Sequence, residues 1–221
     1  MNYKWLIPQL FAAGALAACS STSTPTTIVP AVEGSAQNAG GSYSVTQPIE
    51  ITGTPAVTGD GFLAWGGGVG NSHKGYAYES ADVVAIAAMD VSTDVTVAGI
   101  SGTAATNVPT SGTGVYAGGF SGTYLRGGGT NAPWNVRGAF TTNVDFATGA
   151  VTGSGTGSGS STLSVTGTAS GAQFNGTATF TALEYGGSIT APLTGGLYGT
   201  NTLAGIYQGP EVTGIIWGVS P

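Results

Sequence analysis

The only histidine of the chain, His73, lies close in sequence to two tyrosines, Tyr76 and Tyr78. Histidine and tyrosine side chains both serve as axial ligands of haem iron in proteins. A loop that carries these residues could present such a ligand, so haem binding at His73, Tyr76 and Tyr78 is one hypothesis for this stretch. An exposed histidine in a polar loop is the simpler interpretation. The residue types alone leave both open.

The other reactive side chains do not form the groups that catalysis needs. A nucleophile requires an adjacent base, and glycosidic cleavage requires two carboxylates that flank one bond. The ten Asp and Glu residues are scattered along the chain, and Cys19 is its only cysteine. We therefore expect a protein that is not an enzyme.

Two short segments resemble ion-binding loops but lack essential parts of them. Asp90 and Asp94 are four residues apart, whereas a calcium loop needs more oxygen ligands and a later bidentate acid. Residues 66–71 form a glycine-rich run with no Lys-Ser/Thr after it, and a phosphate-binding loop needs that lysine. A solvated turn and an ordinary loop are the preferred interpretations, and we predict no metal site.

The N-terminus has the layout of a secretory signal. Lys4 precedes an apolar run at residues 5–18, which is too short for a membrane-spanning helix. The run ends in the sequence LAAC, which resembles a bacterial lipobox. That resemblance implies that Cys19 becomes the first mature residue and carries diacylglycerol and an N-acyl chain, enough for stable anchoring. The alternative is an ordinary signal peptide with an incidental cysteine.

The residue after the cysteine bears on the destination of the protein. Ser20 follows Cys19, and lipoproteins with serine there, in place of aspartate, resemble those passed on to the outer membrane. We therefore expect a lipid-anchored protein of the outer membrane that is located at the cell surface and meets its partners there.

Charge excludes one large class of partner. The net charge is −6, with only four Lys and Arg among 221 residues. Nucleic-acid binding depends on a basic stripe that releases counterions from phosphates. The sequence lacks such a stripe, and we expect no nucleic-acid partner.

The first half of the mature chain divides into two parts. Residues 19–41 are rich in Ser, Thr, Pro, Ala and Gly without a period, which is typical of a flexible tether. Residues 42–105 contain short alternating stretches, which predict a small β-rich handle subdomain. Within it, residues 83–89 are apolar throughout, and so short a run fits either a strand or a short helix.

The second half predicts an eight-stranded, antiparallel, up-and-down barrel over residues 106–221. Apolar and hydroxyl-bearing side chains alternate in segments separated by glycine-rich turns, a pattern of period two. Eight such strands enclose a space just wide enough for side chains or for one small ligand. The predicted strands are residues 113–125, 134–146, 149–156, 160–169, 172–183, 187–199, 201–208 and 212–219.

The alternation also predicts which side chains face the interior. A barrel within lipid would need its apolar side chains outside, whereas here the hydroxyl rows take the opposite face, so we expect an aqueous barrel held only by its lipid. The predicted inward residues are Phe140, Val144, Phe146, Leu163, Val165, Phe174, Ala178, Phe180, Leu203, Tyr207, Ile215 and Trp217.

Several motifs in this half resemble the C-terminal barrel of the transferrin-binding protein B family. They are VPTSGT at 108–113, VDFATGAVTG at 144–153, AQFNG at 172–176, GLYG at 196–199, LAGIY at 203–207 and GIIWG at 214–218. The resemblance implies a barrel in a surface lipoprotein, in a family that includes transferrin, factor H and haem binders. Residues 199–202 depart from the family's Gly-Pro and glutamate, and no functional residue of the family is carried over.

These observations lead to three hypotheses. The first is a non-catalytic lipoprotein that binds a host or envelope protein, or a solute, through loops of the barrel and handle. The second is a carrier of haem or a small solute that uses the barrel mouth or the His73 loop. The third is a structural envelope lipoprotein without a ligand.

Overall fold

The chain is all-β. In this computed structural model the described residues are 36–39, 42–46, 50–53, 56–57, 62–65, 73–90, 95–125, 134–182 and 187–221. Their strands are β1 (Ala36–Ala39), β2 (Ser42–Thr46), β3 (Glu50–Gly53), β4 (Ala56–Val57), β5 (Phe62–Trp65), β6 (His73–Glu79), β7 (Val83–Asp90), β8 (Val95–Gly102), β9 (Thr113–Tyr124), β10 (Trp134–Asp145), β11 (Ala150–Gly157), β12 (Thr162–Ser170), β13 (Gln173–Ala182), β14 (Gly187–Tyr198), β15 (Thr202–Gln208) and β16 (Val212–Val219).

The last eight strands close into an antiparallel barrel, which confirms the predicted fold class. Each strand pairs with the next in sequence, and β16 returns to pair with β9. The predicted strand limits agree with the observed ones to within one or two residues. Glycine and hydroxyl-rich turns therefore located the strands correctly.

Two of the turns show why the sequence ends its strands where it does. After β10, the Asp145 carboxylate accepts hydrogen bonds from the backbone N–H groups of Ala147 and Thr148, at 2.9 and 3.2 Å. Gly149 then takes a φ of +74°, and Gly171 takes +60° in the β12–β13 turn. Glycine adopts this left-handed conformation without a steric penalty. Both turns are the short hairpins that the sequence predicts.

The interior of the barrel is filled by side chains from every strand. The largest fully buried ones are aromatic, and they contact each other: the rings of Phe120 and Phe140 are 5.9 Å apart edge to face, and those of Tyr124 and Phe180 are 4.9 Å apart. Aliphatic side chains complete the same cluster, with Leu163, Leu193 and Leu203 among the most buried. The predicted inward residues of β10, β12, β13 and β15 belong to this core.

The prediction for β16 is wrong by one residue. Ile216 lies in the barrel core, whereas Ile215 and Trp217, which the pattern placed inside, face outward. Both faces of this strand are apolar, because its outer face is covered by another sheet and not by water. When both faces of a strand are buried, the alternation of apolar and polar residues no longer shows which side chains point inward. The two adjacent isoleucines of β16 therefore fit either orientation.

A second sheet, here called the docked sheet, is formed by β4–β8 in sequence order. Residues 83–89 lie in strand β7, so the helical alternative for this run is wrong. Strands β7 and β8 pack on β15 and β16 of the barrel. A third sheet of β1–β3 precedes it in the chain.

The docked sheet is held to the barrel by an apolar cluster and by hydrogen bonds. The cluster joins side chains of the sheet, including Tyr78 and Ala87, to Ala204, Ile206 and Ile215 on the outside of the barrel. Thr96 in β8 donates to the Gly209 carbonyl at 2.8 Å. Gln208 donates to the Thr96 carbonyl at 2.7 Å, and Thr213 donates to the Val97 carbonyl at 3.2 Å. The sheet thus covers one side of the barrel wall.

Candidate functional site

The sequence-predicted residues Tyr76 and Tyr78 lie between the docked sheet and the barrel. They are 7% and 8% exposed, and the Tyr78 ring stacks on Trp217 with centroids 4.9 Å apart and planes 11° from parallel. Burial raises the pKa of Tyr78, more than its hydrogen bond with Ser80 lowers it. Tyrosinate, the form that ligates iron, is therefore harder to form here.

His73 begins β6, where its backbone pairs with that of Asp90. Haem binding by His73, Tyr76 and Tyr78 stays a prediction. Cys19, the glycine-rich residues 66–71 and Asp94 lie outside the described residues. Across the part of the chain that is described, no group of three or more His, Cys, Asp or Glu residues could hold a metal ion. Nor does any helix in that part have the length and apolarity to span a membrane.

The first concave surface is a groove beside the docked sheet, here called the Tyr198 groove. It lies on the outer face of β14, between the end of β8 and the start of β13, and has a volume of about 310 Å³. Its lining residues are Ile100, Ser101, Gly102, Ala104, Ala172, Gln173, Thr194, Gly195, Gly196, Leu197 and Tyr198.

The aromatic side chain of this groove is positioned by two glycines. A Cβ added at Gly102 would lie 2.8 Å from Tyr198 Cδ1, and one added at Gly196 would lie 3.4 Å from its Cζ. The missing side chains leave room for the ring between β8 and β14. Burial raises the pKa of Tyr198 to about 12, so the phenol is neutral at physiological pH.

The groove carries uncharged hydrogen-bonding groups. Gln173 and Ser101 are exposed, and the Thr194 hydroxyl donates to Asn175 Oδ1 at 2.9 Å. That bond leaves the lone pairs of the Thr194 oxygen free to accept from a ligand. No lining residue of this groove is charged. The arrangement suits a polar, neutral ligand.

The second concave surface, here called the Trp217 concavity, lies on the opposite side of the docked sheet. Outward positions Trp217, Gly119 and Ala139 are neighbours across β16, β9 and β10. Because two of the three have little or no side chain, a hollow of about 440 Å³ opens beside the Trp217 ring, with Arg137 at its edge. Val115 and Val219, 47% and 41% exposed, lie on the same outer face.

Neither the Tyr198 groove nor the Trp217 concavity was predicted from the sequence. Tyr198 and Trp217 each stand at the margin of the docked sheet, but the sequence does not say which side of the barrel that sheet covers. One signal was present: glycine recurs beside these two aromatics, as Gly196 and Gly199 around Tyr198 and as Gly218 after Trp217. Glycine in a strand marks places where another group approaches closely.

Comparison with known proteins identifies the fold. No protein-family model and no curated protein matches the sequence. Among solved structures, intact Ap-TbpB with its N and C lobes matches with a TM-score of 0.51 and 16% identity over 77% of this chain. Isotype 1 transferrin-binding protein B of serogroup B Neisseria meningitidis gives 0.51 and 16% over 78%. A surface lipoprotein gives 0.52 and 13% over 85%.

These matches differ in how much of the other protein they cover. This chain spans 40% of Ap-TbpB and 38% of the meningococcal protein, but 96% of the surface lipoprotein. The chain therefore has a transferrin-binding protein B-like fold, equivalent in extent to the whole of the surface lipoprotein. At these identities the likeness establishes the fold alone.

Proposed function

We propose that this chain is a non-catalytic, lipid-anchored binding protein of the bacterial outer membrane, which holds its partner on the outer wall of the barrel beside the docked sheet. The observation that carries the proposal is the contrast between the two sides of the wall. The inner side is filled by buried aromatic and aliphatic residues, while the outer side carries the Tyr198 groove and the Trp217 concavity.

The filled interior favours binding outside the barrel over binding within it. Phe120, Phe140, Phe174 and Phe180 are all almost completely buried. A ligand in the lumen would have to displace these rings, and interiors packed at crystal-like density resist such changes. A partner on the outer wall needs no rearrangement of the core.

The similar structures support a partner met at the cell surface. Two of them are named as transferrin-binding proteins and the third as a surface lipoprotein. By that analogy the partner of this chain is a protein or a solute met at the cell surface. The analogy is one of fold, so it assigns no particular partner.

The proposed organisation follows the chain. Residues 1–18 are a signal peptide, Cys19 carries the lipid, residues 19–41 are a tether, residues 42–105 form the handle, and residues 106–221 form the barrel. The support for this division is the lipobox, the composition of the tether and the limits of the barrel strands. Within this tether Ala36–Ala39 form strand β1, so the residues before that strand would hold the barrel away from the membrane.

Metabolic labelling with an alkyne fatty acid tests the anchor. The full chain should incorporate the label and fractionate with outer membranes, and Cys19→Ser should abolish both. Labelling that persists in Cys19→Ser, or a mature N-terminus other than Cys19, would refute the anchor.

Capture of partners by tagged full-length chain tests the binding surface. Ser101→Trp fills the Tyr198 groove and Ala139→Trp fills the Trp217 concavity, whereas Ser164→Trp adds the same bulk on β12, across the barrel. All three positions are exposed. We expect at least one of the first two variants to lose partners that Ser164→Trp retains. Identical capture by all three variants and the wild type would contradict the proposal.

A further inference from the structure

We propose that the Tyr198 groove is a binding site for a neutral saccharide. This inference rests on the proposed function and names the ligand class of one of its two surfaces. The groove has a volume of about 310 Å³, near the lower end of the range of roughly 300–1,000 Å³ found for small-molecule sites. A mono- or disaccharide fits this scale, and a larger cofactor does not.

The electrostatics of the groove select an uncharged ligand. The chain has a net charge of −6, yet the groove is lined by no charged side chain. Its one ionisable group, the Tyr198 phenol, is protonated at neutral pH. An anionic ligand would find no cation here and would be repelled by the net charge of the chain. A cationic ligand would find no carboxylate among the lining residues, although the Asp82 carboxylate lies close by, against Gly199.

The polar groups match the hydroxyl groups of a sugar. Gln173 offers an amide that both donates and accepts, and the Ser101 and Tyr198 hydroxyls do the same. Thr194 keeps its acceptor lone pairs because its proton is directed to Asn175. A sugar ring presents several hydroxyls that donate and accept together, so each of these groups can be satisfied by the same ligand.

The aromatic ring and the glycine floor match the other side of a sugar. The Tyr198 ring lies beside Gly196, which has no side chain to obstruct access to it. The C–H groups of a sugar ring form an apolar face that packs on an aromatic surface, while the phenol hydroxyl remains available at the ring edge. The groove thus combines one apolar platform with a polar rim.

An extended peptide cannot add a strand to the floor of the groove. Peptides that bind along a sheet add a strand to a free edge and use backbone hydrogen bonds. The floor strand β14 has no such edge, because β13 and β15 pair with it on both sides. At its end, the Leu197 N–H donates to the Ala172 carbonyl and the Leu197 carbonyl accepts from Ala105. Recognition on the floor strand must therefore use side chains, as it does for sugars, and the tetrapeptide comparison below tests the edge strand β8.

Saturation-transfer NMR on the full-length mature chain tests the inference. The probes are glucose, galactose, N-acetylglucosamine, lactose and maltose, with sialic acid as an acidic comparison and a neutral tetrapeptide as a peptide comparison. We expect transfer to at least one neutral sugar and none to sialic acid or the tetrapeptide. No transfer to any neutral sugar, or transfer to the tetrapeptide alone, would overturn the assignment.

Single substitutions test whether the saturation transfer to a neutral sugar comes from the Tyr198 groove. Ser101→Trp should abolish it and Ser164→Trp should leave it unchanged, since both positions are exposed but only the first lines the groove. Tyr198→Phe keeps the ring and loses one hydrogen bond, which should weaken binding about fivefold. Gln173→Ala, at an exposed position, should also weaken it while the melting temperature stays unchanged. Sugar binding that survives Ser101→Trp would place the site elsewhere.

The result is separable from the proposed function. If no neutral sugar binds but partner capture is still lost in Ala139→Trp, the saccharide assignment fails and the binding role stands. If capture is identical in all variants and the wild type, the proposed binding role itself fails, whatever the sugar result.

Discussion

Tyr207 fills the seam where the barrel closes. Its hydroxyl lies inside the wall and donates to the Ser121 carbonyl at 3.1 Å, reaching across β16 from β15 to β9. Gly122 and Gly214 lie directly beneath the oxygen, and a Cβ added at either would overlap it. The absence of two side chains thus makes room for one phenol, and the closing strands can approach.

We predict that Gly122→Ala destabilises the protein by about 1–3 kcal/mol, because the added methyl overlaps Tyr207 Oη in a packed core. Tyr207→Phe alone should cost about 1 kcal/mol for the lost hydrogen bond. Since the clash is with the hydroxyl, the double variant should be more stable than the sum of the two single changes predicts. Urea denaturation of the four proteins measures this coupling, and simple additivity would contradict the account of the seam.

The ionisation of Tyr198 should make the stability of the protein depend on pH in the alkaline range. The pKa of Tyr198 is raised to about 12 by burial, whereas an unfolded tyrosine ionises near about 10. Below pH of about 10 the phenol is neutral in both states and adds no pH dependence. As the pH rises from there towards 12, the unfolded state releases a proton that the folded state retains, so stability falls.

The melting temperature of Tyr198→Phe should therefore fall less over that alkaline range than the melting temperature of the wild type. The buried Tyr207 also has a raised pKa, and it contributes equally to both proteins, so the difference between their slopes isolates Tyr198. Equal slopes would show that Tyr198 is more solvated than its position indicates.

Strand β16 is buried on both of its faces. Ile215 and Ile216 are each completely buried, the first under the docked sheet and the second in the barrel core. Adjacent residues of one strand therefore stabilise two different interfaces. This makes them a matched pair for separating the contribution of the docked sheet from that of the barrel.

Ile215→Ala and Ile216→Ala should each cost about 2–5 kcal/mol, the usual range for truncating a buried isoleucine. Hydrogen exchange should then distinguish them. Ile215→Ala should raise exchange first in β6–β8, because its side chain packs against that sheet, whereas Ile216→Ala should raise it in the barrel strands. Identical exchange patterns in the two variants would mean that sheet and barrel open as one unit.

Most of the barrel strands and their connections were predictable from the sequence. The turn residues around Gly149 and Gly171 fix the hairpins, and alternation identifies the inward faces of β10, β12 and β13. The face of β16 that points into the barrel was not predictable. Ile215 and Trp217 are apolar, and nothing in the sequence shows whether they pack in the barrel core or against the docked sheet. Only the docking of β7 and β8 on the outer wall supplies that information.

The barrel has an interior filled with side chains, and one side of its outer wall packs against the docked sheet. The docked sheet covers β15 and β16, and the Tyr198 groove and the Trp217 concavity flank that cover on β14 and on β9–β10. Sequence alone predicted the barrel but could not place these surfaces, since each depends on contacts between residues about one hundred positions apart, such as Thr96 and Gly209. The composition nevertheless indicated that a partner would not be a nucleic acid.

Site-specific photo-crosslinking in living cells tests whether a partner binds beside the docked sheet. A photoreactive side chain is placed at Ser101, at Ala139 or, as the control, at Ser164 in the full-length chain. We expect adducts with a partner from Ser101 or Ala139, on either side of the docked sheet, and none from Ser164. Adducts from Ser164 alone, or equally from all three positions, would contradict a binding surface beside the docked sheet.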